Sequence, residues 1–127
     1  VSFAHRLLYL RAQPPFDGLS EAEIVAVADA ASTRQFAPGE VVAPEGRPLA
    51  SLHVVAQGAV LSAHDHAPLP PVFGAISLLN REPIAGPLVA GPVGAEVIFL
   101  ARPHFFTLVT ECPWLLVDLL SGRGDLR

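Results

Sequence analysis

The sequence predicts a mainly β domain: a small jelly-roll β-barrel with helices at both ends. Three observations carry that expectation. Helix-periodic segments with a strong start signal occupy residues 1–32. Residues 33–101 break into short β-like runs separated by Gly- and Pro-bearing turns, and apolar helical segments return over residues 102–127. At 127 residues the chain is one domain, large enough for a proper hydrophobic core.

Apolar residues at Phe3, Leu7, Leu8 and Leu10 predict a short amphipathic helix, which Gln13-Pro14-Pro15-Phe16-Asp17-Gly18 then breaks. The next helix has a complete start signal. Ser20 can cap, Glu23 three residues on can answer it, and Leu19 with Ile24 can staple the approach, so a helix is expected to about Ala31. Arg34-Gln35-Phe36 leads into Pro38-Gly39, a type II turn signature, followed by the short run Val41-Val42-Ala43 and a Glu45-Gly46 turn. Residues 52–56 and 59–63 read as two strands joined through Gln57-Gly58. Residues 88–90 and 96–100 read as two more, with Gly91-Pro92-Val93-Gly94 turning between them. Pro103 opens a helix to about Thr110, and Pro113, suited to a first helical turn, opens another through Leu120.

Composition narrows the function. Apolar residues are 51% of the chain and charged residues only 16%, a low charge fraction for this size. A net charge of −4 argues against nucleic-acid binding by this segment. No apolar run reaches the ~18 residues that would span a bilayer, and no basic-then-apolar leader opens the chain, so a cytoplasmic location is expected. Cys112 is the only cysteine, which excludes an internal disulfide and reads as a buried thiol. The chain opens on Val1 and holds no methionine, so it is expected to be part of a longer polypeptide.

The most informative stretch is Phe73-Gly74-Ala75-Ile76-Ser77-Leu78-Leu79-Asn80-Arg81-Glu82-Pro83-Ile84-Ala85-Gly86-Pro87. A Gly-led turn into a short helix presents free backbone N–H groups to an anion. Read with Pro15-Phe16-Asp17-Gly18-Leu19-Ser20, Phe36-Ala37-Pro38-Gly39-Glu40-Val41-Val42, Glu45-Gly46, residues 52–60 and the Ala101-Arg102 and Phe105-Phe106 pairs, the chain resembles the cyclic nucleotide-binding domain family over nearly its whole length. The resemblance implies a jelly roll (a double-stranded β-helix) cradling cyclic AMP or cyclic GMP, with helices that move on binding. It also implies a non-enzymatic regulatory domain in signal transduction. Its phosphate-binding cassette maps here onto Phe73, Gly74, Ala75, Ile76, Ser77, Ile84 and Ala85.

Two positions depart from that pattern. The glutamate that holds the ribose 2′-hydroxyl in the family is Ala75, and the arginine that holds the cyclic phosphate is Ile84. Losing one partner of a buried charge pair costs roughly 2–5 kcal/mol, about 30- to several-thousand-fold in affinity. The cassette is therefore expected to be degenerate, with cyclic AMP and cyclic GMP binding weakened or lost and a less charged small molecule as the other candidate ligand. Arg81, in the same loop, is the one candidate rescue; a solvent-facing arginine is the plainer reading. A second departure is length. Only fifteen residues separate Gly58 from Gly74, and Pro68, Pro70 and Pro71 make that segment a poor central strand, so a strand or hairpin is expected to be truncated.

Other constellations are weaker. His64-Asp65-His66 would put two imidazoles on one strand face, as in metal-binding cupins, and Gly86, Pro92 and Gly94 echo a cupin's second motif. Pro70 and Pro71 stand where a cupin needs its glutamate, and Val97 where it needs a further histidine, leaving too few ligands for a catalytic metal. No cofactor or metal is expected. Arg123-Gly124-Asp125 spells an adhesion tripeptide and is read as chance. The last helix, with Trp114, Leu115, Leu116, Val117, Leu119 and Leu120, either packs on the barrel, forms a homodimer face or leads to an effector elsewhere. An interaction or dimerisation module without ligand is the alternative function, and a cupin-like metal-binding protein the least favoured one.

Overall fold

The computed structural model describes residues 3–123. The outer ends of the expected terminal helical segments, residues 1–2 and 124–127, lie outside the described residues, and with them Gly124 and Asp125 of the adhesion tripeptide. Helix α1 (Phe3–Ala12) leads through a 3₁₀ turn (Phe16–Gly18) into α2 (Glu21–Ala30). Strands β1 (Ser32–Phe36), β2 (Val41–Ala43), β3 (Ser51–Ser62) and β4 (Val72–Phe73) follow, then the short helix α3 (Ala75–Asn80) and strand β5 (Leu88–Ala101). Helices α4 (Arg102–Glu111) and α5 (Pro113–Asp118) and a π turn (Leu119–Arg123) complete the described chain.

The expected capping box of α2 is present. Ser20 Oγ accepts from the Glu23 N–H at 3.2 Å, and the Glu23 carboxylate accepts from the Ser20 N–H at 2.8 Å. Cys112 is buried, and its thiol donates to Glu23 at 3.0 Å. Desolvation first, and the Glu23 carboxylate second, push the thiol pKa up to about 11, so it stays protonated and inert. At Pro38-Gly39 the chain turns with Gly39 at φ +77° and the Glu40 N–H on the Ala37 carbonyl.

One expectation about the strands changes. The expected pairs on either side of Gln57-Gly58 and of residues 91–94 are single long strands, β3 and β5, which pair antiparallel from Ser51↔Ala101 to Ser62↔Leu88. Glycines lie where turns were expected, but they make bulges. The register jumps between Gly58↔Ala95 and Val60↔Ala90, so residues 91–94 bow out opposite Ala59. Gly58 and Gly94 both have positive φ. A Cβ on Gly58 would run into the Gly94 carbonyl, and one on Gly94 would lie 2.6 Å from the Phe36 carbonyl oxygen. Three backbones thus meet where only glycine fits, and the long pair bends without breaking.

The sheet runs β1-β5-β3-β4, with β2 also on β5, and is jelly-roll-like without being closed into a barrel by hydrogen bonds. Prolines 68, 70 and 71 offer no N–H, and along β3 this stretch makes a single bridge at Leu61↔Pro68 before the two-residue β4. Alternation along β3 and β5 then makes two cores. Leu52, Val54, Ile98 and Leu100 face the helices, where Phe16, Ile24, Phe105 and Leu115 join them. Val55, Val60 and Val97 face the inside of the roll with Phe36, Phe73, Ile84 and Leu88. Each such side chain, fully buried, contributes about 1.5–3 kcal/mol relative to exposure.

Candidate ligand-binding site

The lead-in to α3 is built from beneath. Phe73 pairs with His53 across β4 and β3, and their rings stack at 4.8 Å; Phe99 meets His53 edge-on at the same distance. His53 Nδ1 lies 2.9 Å from the Ser51 carbonyl oxygen. Burial lowers the His53 pKa to about 4, so the imidazole is neutral at pH 7. Gly74 then turns the chain at φ +110°, close against Leu49, and α3 begins without any side-chain cap. The hydroxyl of Ser77 instead ties the helix to its surroundings, accepting from the Leu49 N–H at 3.0 Å and donating to the Glu82 carbonyl at 3.1 Å. Arg81 ends the helix in the left-handed region at φ +60°, its N–H on the Ser77 carbonyl.

A cavity of about 370 Å³ lies between α3, the loop of residues 82–86 and the turn that follows β3. The sequence-designated cassette divides across it. Ile76, Ser77, Ile84 and Ala85 line the cavity; Phe73, Gly74 and Ala75 do not, being buried beneath as support. Ala75, where the resemblance leads us to expect a ribose-binding glutamate, is fully buried. Ile84, at the arginine position, is 8% exposed and packs into the roll interior, its backbone held by Arg47 and Gly46. Arg81 is exposed and is not among the lining residues, so the candidate rescue is absent from this wall.

Asn80, Glu82 and Asp65 were missed as site residues, and His64 was singled out only as a metal ligand. The signal that could have found them is the short Gly58–Gly74 spacing, which draws the turn after β3 in beside the cassette. His64 lies against Gly86 so closely that a Cβ there would overlap the imidazole. His64 and His66 lie exposed in the turn region after β3, with His66 at φ +57°, as favoured for this pair over the single strand face that a cupin would need. Among the described residues, no group of three His, Cys, Asp or Glu side chains could hold a metal ion. Asp65 Oδ1 accepts from the Ala67 N–H at 3.0 Å, the largest cause that lowers its pKa. The ionisable lining is thus Asp65, Glu82 and His64, and no arginine contributes.

Leu78 of α3 shares a buried cluster with Phe105, Leu115 and Leu119 of the C-terminal segments, and a polar contact adds to it. Arg102, at the start of α4, donates from Nε to the Leu78 carbonyl at 2.9 Å, and its guanidinium lies 4.6 Å from the centre of the Phe106 ring. Its own N–H is held by the Ala50 carbonyl. No described helix is long and apolar enough to cross a membrane.

No protein-family model matches this sequence, and no curated protein matches it either. Solved structures do. The regulatory domain of PKA from Toxoplasma gondii, solved with cAMP, superposes with a TM-score of 0.76 at 24% identity, over 94% of this chain and 48% of that one. The catabolite activator protein of Thermus thermophilus gives 0.67 at 25% identity, over 84% and 55%. The fold is that of a cyclic nucleotide-binding domain. A third structure with this fold is the regulatory subunit of a cAMP-independent protein kinase A from Trypanosoma cruzi, bound to guanosine. It matches with a TM-score of 0.71 at 23% identity, over 93% of this chain and 44% of that one. The chain spans about half the length of these proteins. They are regulatory or binding proteins, and the cyclic nucleotide-binding fold is what the present chain shares with them.

Proposed function

We propose that this chain is a non-enzymatic sensor module of a larger cytoplasmic protein, with a cyclic nucleotide-binding fold that has lost tight affinity for cyclic AMP and cyclic GMP. The observation that carries this reading is the cavity wall, where Ile84 replaces the expected arginine and the charged side chains are carboxylates. A cyclic phosphate there meets apolar surface and negative charge, both unfavourable to an anion. That a cAMP-independent protein of the same fold was solved with guanosine supports a less charged ligand. The Arg102 link supports a readout through α4: a ligand that shifts α3 displaces the Leu78 carbonyl and hence the start of α4. Neither metal nor cofactor enters this reading.

Calorimetry with cyclic AMP and cyclic GMP tests it. Dissociation constants weaker than about 10 µM are expected; tighter binding of either would overturn the loss. Ile84→Arg is expected to strengthen cyclic nucleotide binding by about tenfold or more.

A second reading, dimerisation through the last helix, rests on Trp114, Val117 and Leu120, which are 41%, 66% and 36% exposed. Light scattering after size exclusion decides it. A dimer that Val117→Glu dissociates without unfolding supports this reading, and a monomer at all concentrations sinks it.

A further inference from the structure

The cavity has a polarity that points to a particular chemical class. Its floor is apolar, with Leu69, Ile76, Ile84 and Leu88. Its rim is rich in acceptors, because ionised Asp65 and Glu82 can only accept hydrogen bonds. The Ser77 hydroxyl already donates to the Glu82 carbonyl and accepts from the Leu49 N–H. The imidazole of His64, lying against Gly86, gives one end of the cavity a flat face. A volume of about 370 Å³ is within the range of small-molecule sites.

From these features we infer that the cavity binds an uncharged nucleoside in preference to its cyclic phosphate. The inference rests on the proposed loss of cyclic nucleotide affinity and names what replaces it. A nucleobase has apolar faces for the floor and for the imidazole, with N–H donors along its edge. Ribose adds hydroxyl donors. These meet Asp65 and Glu82 as partners, whereas a cyclic phosphate adds a negative charge to a wall that has two already. Like-charge juxtaposition disfavours the phosphate by a large factor.

The test uses matched pairs: adenosine against cyclic AMP, and guanosine against cyclic GMP, by calorimetry on the intact chain at low salt. At least one nucleoside is expected to bind about tenfold or more tightly than its own cyclic phosphate. The preference should narrow at high salt, because it is electrostatic. An Asp65→Asn, Glu82→Gln double variant keeps side-chain size and should reduce the preference by about threefold or more. Chemical-shift changes at Ile76 and Asn80 on nucleoside addition would place the ligand in this cavity. If neither nucleoside binds at millimolar concentration, the inference fails while the loss of cyclic nucleotide affinity stands. Equal affinity within both pairs also overturns the inference, and a cyclic nucleotide tighter than about 10 µM overturns the parent reading as well.

Discussion

Helices α2 and α3 begin in opposite ways. At α2, Ser20 and Glu23 satisfy each other's backbone N–H groups, so two of the donors that every helix start leaves open are closed locally. At α3 the chain enters through a left-handed glycine with no side-chain cap, and the nearby serine is turned outward to Leu49 and Glu82. The first helix carries its own stabilisation within four residues of sequence. The second is held by what surrounds it: the His53–Phe73 stack below, Ser77 at its side and Arg102 at its carbonyl end. A helix held by distant partners is the element whose position changes when those partners change.

Three measurements sharpen that contrast, from the largest expected effect to the smallest. Protonating His53 should undermine the support of α3. Its pKa is lowered from 6.5 to about 4 by burial, so below pH 6.5 the unfolded chain binds a proton that the folded one refuses. Stability is therefore full above pH 6.5 and falls as pH drops toward 4, by up to about 3 kcal/mol. Urea unfolding between pH 7 and 4.5 measures this loss, and His53→Phe should flatten the dependence over that window. An unchanged slope would remove His53 as the cause.

Substituting Gly74 tests the start of α3 directly. At φ +110° and with Leu49 Cδ1 3.1 Å from a built Cβ, Gly74→Ala should cost about 2 kcal/mol in chemical denaturation. A loss below half of that would mean the backbone there relaxes easily. The smallest effect belongs to the self-sufficient helix. Ser20→Ala should cost about 1 kcal/mol, while Glu23→Gln, which preserves the capping box, should cost less. If Ser20→Ala proved more damaging than Gly74→Ala, the contrast between the two helix starts would reverse.

Much of the fold was legible because its signals are local. Ser20 with Glu23, Pro38 with Gly39, and the run Val41-Val42-Ala43 each specify their conformation within a few residues. The glycines of β3 and β5 were harder to read. Gly58 alone is compatible with a turn or a bulge, and what decides is its partner Ala95, far along the chain. The candidate site divides in the same way. Sequence order located Ile76, Ser77, Ile84 and Ala85, since they follow a motif. It could not indicate that Ala75 is buried outside the cavity lining, or that Asp65 and Glu82 share its wall.

By itself, then, the sequence determined the start of α2, the periodicity of the N-terminal helix, the turn at Pro38-Gly39, and which residue types stand between Phe73 and Pro87, Ala75 and Ile84 among them. These depend on periodicity, on backbone conformations only glycine favours, and on residue identity, all of which are short-range. Only the tertiary structure decided that β3 and β5 run unbroken through their glycines, that the sheet is not closed into a barrel by hydrogen bonds, and that His64 comes to rest on Gly86. Those outcomes depend on pairing between segments far apart in sequence, where a backbone N–H or a missing Cβ acquires its effect only from what is brought against it.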